Sequence, residues 1–132
     1  MLLLFCLSGE ILSVAGTTYD FRHETLLGER IPYVFGAPGV TGFDINYCLS
    51  PSSGVTPAAS LIHRHSGRTL HVFTDQPGLQ LYTGNHLNGI TGKHGTSYMQ
   101  HSSVALETQN YPDAIHHVSH GRLSLTVCKT KR

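Results

Sequence analysis

Apolar and polar residues alternate along much of this chain. Nowhere do apolar positions hold a helical spacing over three turns between recognisable caps. A period of two puts successive side chains on opposite faces of a strand. It predicts strands over 59–65 and 68–74, with Ser66-Gly67 between them as a hairpin turn. In the second, Leu70, Val72 and Thr74 share one face, and Thr69, His71 and Phe73 the other. After the turn signal Gln76-Pro77-Gly78, alternation resumes over 79–83, so Gln80 and Tyr82 point away from Leu79 and Leu81. Over 103–109, Val104, Leu106 and Thr108 oppose Ser103, Ala105, Glu107 and Gln109. Residues 123–128 predict a further strand ahead of a basic end. Segments 30–60 and 84–102 are rich in Gly, Ser and Asn and read as loops, although Asp44 and Asn46 alternate with Phe43, Ile45 and Tyr47. Short strands joined by such loops predict an all-β sandwich.

Composition narrows the function classes. The chain has 132 residues, room for one domain, and 9 Lys+Arg stand against 8 Asp+Glu. That balance excludes an electrostatic nucleic-acid binder, which needs a basic face to neutralise phosphates. With 39% apolar and only 13% charged residues, the chain has the means to bury a core and is not read as disordered. Cys6, Cys48 and Cys128 are scattered, with no C-x-x-C pair, and do not make a disulfide framework or a thiolate zinc site. Residues 1–7 are apolar but lack a basic flank, and Ser8-Gly9-Glu10 interrupts them after a run too short to span a bilayer. We therefore expect a reduced, cytoplasmic protein with no membrane partner, although Ser13-Val14-Ala15 has the small residues of a cleavage site.

Candidate chemistry lies on the polar strand faces. Glu107 is flanked on its face by small Ala105 and by Gln109, which leaves room for a ligand beside a carboxylate able to act as general base. A solvent-facing strand glutamate has the same pattern. Gln80 and Tyr82 project together, an amide for hydrogen bonds beside a flat ring for the C–H face of a sugar; two half-exposed polar residues fit equally. Asp44 follows Gly42-Phe43, where an Asx-type backbone bond is the alternative to ligand binding. The 10 histidines outnumber Lys and Arg together. His63 and His65 would share a strand face, and His116, His117 and His120 would supply two ligands at i, i+4 on a helix. No third ligand or supporting shell is identifiable, so no metal site and no cofactor is assigned.

Four stretches taken together carry a resemblance. GEILSVAGTTYDFR (9–22), GFDINYCL (42–49), SGRTLHVFTDQPGLQLYTGNHLNG (66–89) and HSSVALETQNYPDAIH (101–116) resemble, in order and spacing, the aldose 1-epimerases or galactose mutarotases. The resemblance implies part of a large antiparallel β-sandwich, shortened on its N-terminal side, over 9–116, with an unmatched apolar start at 1–8 and a divergent tail at 117–132. It implies interconversion of the α and β anomers of galactose, glucose and related aldohexoses without a cofactor. Glu107, in LETQN, falls on the family's catalytic base; Asp44, in GFD, and Gln80, in PGLQLYTGN, fall on positions that hydrogen-bond sugar hydroxyls. The family's general-acid histidine, a second sugar-binding histidine and an Asn-Arg pair lie upstream of anything matched here. The expectation is an epimerase with weak or absent activity as this chain. The alternative is a sugar-binding fragment or a partner of a longer mutarotase. Strands that would have covered the core are missing, so self-association through exposed sheet edges is also expected.

Overall fold

The computed structural model describes residues 2–4, 10–112 and 114, and nearly all its regular elements are strands. In chain order they are β1 (Leu2–Leu4), β2 (Ile11–Ser13), α1 (Leu27–Arg30), β3 (Asp44–Cys48), β4 (Thr56–His63), β5 (Arg68–Thr74), β6 (Gly78–Tyr82), β7 (Ile90–Thr91), β8 (Ser97–Tyr98) and β9 (Ala105–Gln109). Five of them form one antiparallel sheet in the order β2-β1-β3-β6-β9. β4 pairs with β5 as a long hairpin, and β7 with β8 as a short one. The fold is all-β, as the alternation predicts. α1 is a single turn without a side-chain cap. It gives way to the 3-10 turn Ile31–Tyr33, where Pro32 is tolerated because its missing N–H needs no partner there.

The core sits on one face of the large sheet. Val14, Val34, Phe43, Tyr47 and Leu81 are buried together, with Tyr19, Phe21, Leu27, Ile31, Ile45 and Leu106 packed against them. Residues 14–34 thus form the cover over β3 and β6. Phe21 meets Phe43 edge-on at 5.3 Å between ring centroids and Tyr47 at 6.4 Å, while Tyr19 meets Phe43 at 6.0 Å. Edge-to-face pairs add about 0.5–1.5 kcal/mol each beyond the area they bury. The Tyr47 hydroxyl donates to the Tyr19 carbonyl at 3.2 Å, which ties cover to sheet, and burial raises its phenol above the ordinary range.

A buried polar clamp closes the end of β3 against β6. Thr83 Oγ1 accepts from the Phe43 N–H at 2.8 Å and donates to Asn85 Oδ1 at 2.6 Å. Asn85 Nδ2 donates to the Phe43 carbonyl at 2.9 Å. Gly42 makes room for this clamp. Its φ is +112°, and a Cβ there would lie 2.2 Å from Asn85 Oδ1.

Three expectations change. Segment 30–60 is no continuous loop, because the 3-10 turn Ile31–Tyr33, β3 and the start of β4 lie within it, and 84–102 holds the β7–β8 hairpin. The turn between β4 and β5 takes four residues, 64–67, because the last strand pair is His63 with Arg68. His65 therefore leaves the strand, and the shared-face H-x-H pair does not form. The expected strand at 123–128 lies outside the described residues.

Candidate active site

Strand register decides which side chains share the polar face. Asn46, Gln80 and Glu107 stand directly opposite one another on β3, β6 and β9. Asp44, Tyr82 and Ala105 form the next row on one side, and Cys48, Gly78 and Gln109 the row on the other. Directly opposed residues project to the same side of an antiparallel sheet. The patch therefore joins two carboxylates, three amides and a tyrosine, back to back with the core that holds Tyr47, Leu79 and Leu81.

The side chains interlock. Gln80 Nε2 donates to Asp44 Oδ1 at 2.7 Å. Gln109 Nε2 donates to Asn46 Oδ1 at 3.1 Å and to Gln80 Oε1 at 3.3 Å. Asp44 and Glu107 are exposed, Gln80 and Gln109 are half-buried, and Asn46 is buried. Asn46 Nδ2 has no hydrogen-bond partner, a state that costs a buried amide about 1–3 kcal/mol. Among the described residues Glu107 has no ion-pair or hydrogen-bond partner either, so its carboxylate is open to a proton donor from solution.

Glu107, Asp44 and Gln80, the three positions singled out in the sequence, thus stand in adjacent rows of one face, and Asp44 and Gln80 touch. Tyr82 lies on the same face, but its hydroxyl accepts from the His86 N–H at 3.1 Å and its ring stacks on the His86 imidazole at 6.5 Å. His86 carries no signal in the sequence, because a loop residue after a glycine turn has no period to read. At the opposite margin the Tyr111 hydroxyl bonds to the buried Cys48 thiol. Burial pushes the thiol up against that bond's opposing pull, and burial together with Cys48 pushes Tyr111 up to about 12.

The histidine-metal idea gains no geometry. The His63 and His65 rings lie 6.3 Å apart, and His63 Nδ1 is bonded to Ser66 Oγ at 2.6 Å. Among the described residues no three His, Cys, Asp or Glu side chains gather. His116, His117 and His120 lie outside them. A cleft of about 790 Å³ opens on the far face of the sheet, between Leu79, Leu81 and Leu106 and strand β4. It is mostly apolar and lies across the sheet from Glu107, so it is set apart from the polar patch.

Comparison with known proteins bears on most of the chain. A family model described as aldose 1-epimerase matches residues 5–131. The chain is 46% identical over 109 residues to a protein from Bos taurus named galactose mutarotase, which covers 82% of this chain and 31% of that protein. The Homo sapiens galactose mutarotase is 44% identical over the same shares. An Escherichia coli protein named aldose 1-epimerase is 31% identical over 106 residues, 80% of this chain and 31% of its own length. The chain thus spans just under a third of the length of these relatives.

Proposed function

This chain belongs to the aldose 1-epimerase family, and from that premise we propose that its polar face is the base side of an anomerisation site for galactose, glucose and related aldohexoses. The observation that carries the reading is the convergence of Glu107, Gln80 and Asp44 on one face, with the Gln80–Asp44 hydrogen bond already made. Gln80 offers a donor and Asp44 an acceptor to neighbouring sugar hydroxyls. Glu107 takes the proton from the anomeric hydroxyl. The C1–O5 bond then breaks as the carbonyl forms at C1, and the ring oxygen takes up a proton. Rotation about C1–C2 and reclosure return either anomer, with the proton coming back from Glu107. No electron leaves the sugar, so the reaction needs no cofactor.

The ring-oxygen proton is the weak step. Among the described residues no histidine side chain hydrogen-bonds Asp44, Gln80 or Glu107. A step without a positioned acid loses a factor of about 10² to 10⁴, so water as the proton source gives a slow epimerase. Polarimetry on freshly dissolved α-D-galactose tests this. We expect a small acceleration over the spontaneous rate that disappears in Glu107→Gln. Equal rates for chain, variant and buffer would sink the catalytic reading.

A second reading is sugar binding without turnover, favoured because the Asp44–Gln80 pair is assembled while Glu107 stands alone among the described residues. Titration with galactose, followed through the backbone amides of β3, β6 and β9, separates the two. Saturable shifts without acceleration support binding alone, and no shift at high millimolar sugar removes both.

A further inference from the structure

Gln109 sits one row from Glu107, yet its amide reaches back over the central strand to Asn46 on β3. Gly78 makes that reach possible. It occupies the row of Cys48 and Gln109, and a Cβ built on it would lie 2.6 Å from Asn46 Oδ1 and 3.0 Å from the Gln109 carbonyl oxygen. The missing side chain is a notch in β6 through which two amides on non-adjacent strands meet.

We infer that Asn46 and Gln109 are positioning residues that fix the direction of the Gln80 amide, with its N–H end turned to Asp44 and its carbonyl turned away. The inference rests on the reading of this face as a sugar site. A primary amide has nearly the same shape either way round, so only its partners choose its direction. An ionised Asp44 accepts and cannot donate, which favours Gln80 Nε2 on its side. Gln109 Nε2 offers hydrogens to Gln80 Oε1 and to Asn46 Oδ1, and neither oxygen can be replaced by an N–H. Asn46 is only 2% exposed, so its side chain is held in place where Gln109 meets it. Its own Nδ2 stays unpartnered, which follows if the side chain is held for its oxygen alone. Asn46, Gln109, Gln80 and Asp44 thus share one consistent donor-to-acceptor order, anchored at one end by a carboxylate that only accepts and braced at the other by the buried Asn46. The second Gln80 N–H and the free Asp44 lone pairs then form a donor beside an acceptor, the pattern that two neighbouring hydroxyls complete.

The test is the side-chain amide spectrum of the whole chain, free and with galactose. Gln109→Glu keeps the length but donates nothing at neutral pH, so it removes the bond to Gln80 Oε1 and lets that amide turn. Gly78→Ala closes the notch from a different strand and serves if the first variant does not fold. Asn46→Asp keeps the accepting oxygen and is the conservative control. We expect either disrupting variant to move the Gln80 amide resonances and to raise the galactose Kd about tenfold, while the backbone spectrum stays dispersed. Asn46→Asp should leave the Gln80 resonances in place. Unmoved Gln80 resonances in a folded disrupting variant would overturn the inference, and so would moved resonances with an unchanged galactose Kd. If the parent chain binds no galactose, the sugar-site reading falls, and the sugar-free Gln80 resonances still decide the amide's direction.

Discussion

Single residues on the polar face have consequences for pH. Cys48 and Tyr111 hold their protons more tightly in the folded chain than ordinary thiols and phenols do, mainly because both are shielded from water. The sign follows from linkage. A raised folded pKa adds stability below the unfolded value, about 8.5 for Cys and 10 for Tyr, which is lost as pH rises toward the folded one. Urea midpoints should therefore be level from pH 7 to about 8.5 and fall above it. Cys48→Ala should flatten the first part of the fall, and Tyr111→Phe should lessen the part above pH 10, which the buried Tyr47 shares. The slope is the readout, since both variants also lose packing. An unchanged slope in Cys48→Ala between pH 8.5 and 10 would show that the thiol is not shielded. At this scale the sequence was informative about orientation and silent about partnership. Period two placed Glu107, Gln80 and Asp44 on polar faces. The Asn46–Gln109 bond joins residues 63 apart on strands that are not neighbours, so it depends on register and on the notch at Gly78.

Among the elements, the β3–β6 join is where a polar network holds the site together. Thr83, Asn85 and the Phe43 backbone satisfy one another while buried, immediately beyond the Asp44–Tyr82 pair. Thr83→Val keeps the volume and leaves the Phe43 N–H and Asn85 Oδ1 unpaired, so a loss of about 2–4 kcal/mol is expected in urea unfolding. A loss below about 0.5 kcal/mol would mean that water replaces the hydroxyl. Gly42→Ala should be at least as damaging, because it adds a Cβ to a left-handed backbone pressed against Asn85. β6 and β9 were legible because their alternation is clean, and in β6 Leu79 and Leu81 are buried on one face. β3 was only half legible, since its five residues sit in a Gly- and Ser-rich region whose composition argues for a loop. β7 and β8 have two exposed residues each and pair through a turn, so no apolar period marks them.

At the scale of the molecule, the five-stranded sheet is open among the described residues. β2 and β9 are the outer strands of the five, and unpaired strand edges invite another chain. The two edges are not equal. In a twofold antiparallel contact centred on β9, Glu107 would face its own copy, and like charges directly opposite disfavour that pairing. The β2 edge presents Ile11 and Leu12, 38% and 40% exposed, with no charge inside the strand. Association should therefore run through β2. Sedimentation equilibrium at tens of micromolar should return a mass above the monomer, and Ile11→Lys should bring it back. Glu107→Gln should raise the mass by freeing the β9 edge, and adding salt to the parent chain should do the same by screening the repulsion. A parent chain that stays monomeric throughout, or an Ile11→Lys variant that associates as strongly, would remove the edge argument. The coupling also matters for reading the enzymology. Glu107→Gln changes both the proposed base and the edge charge, so its rate must be compared with the parent's at matched association state, and only a loss that persists on dilution belongs to the proton transfer.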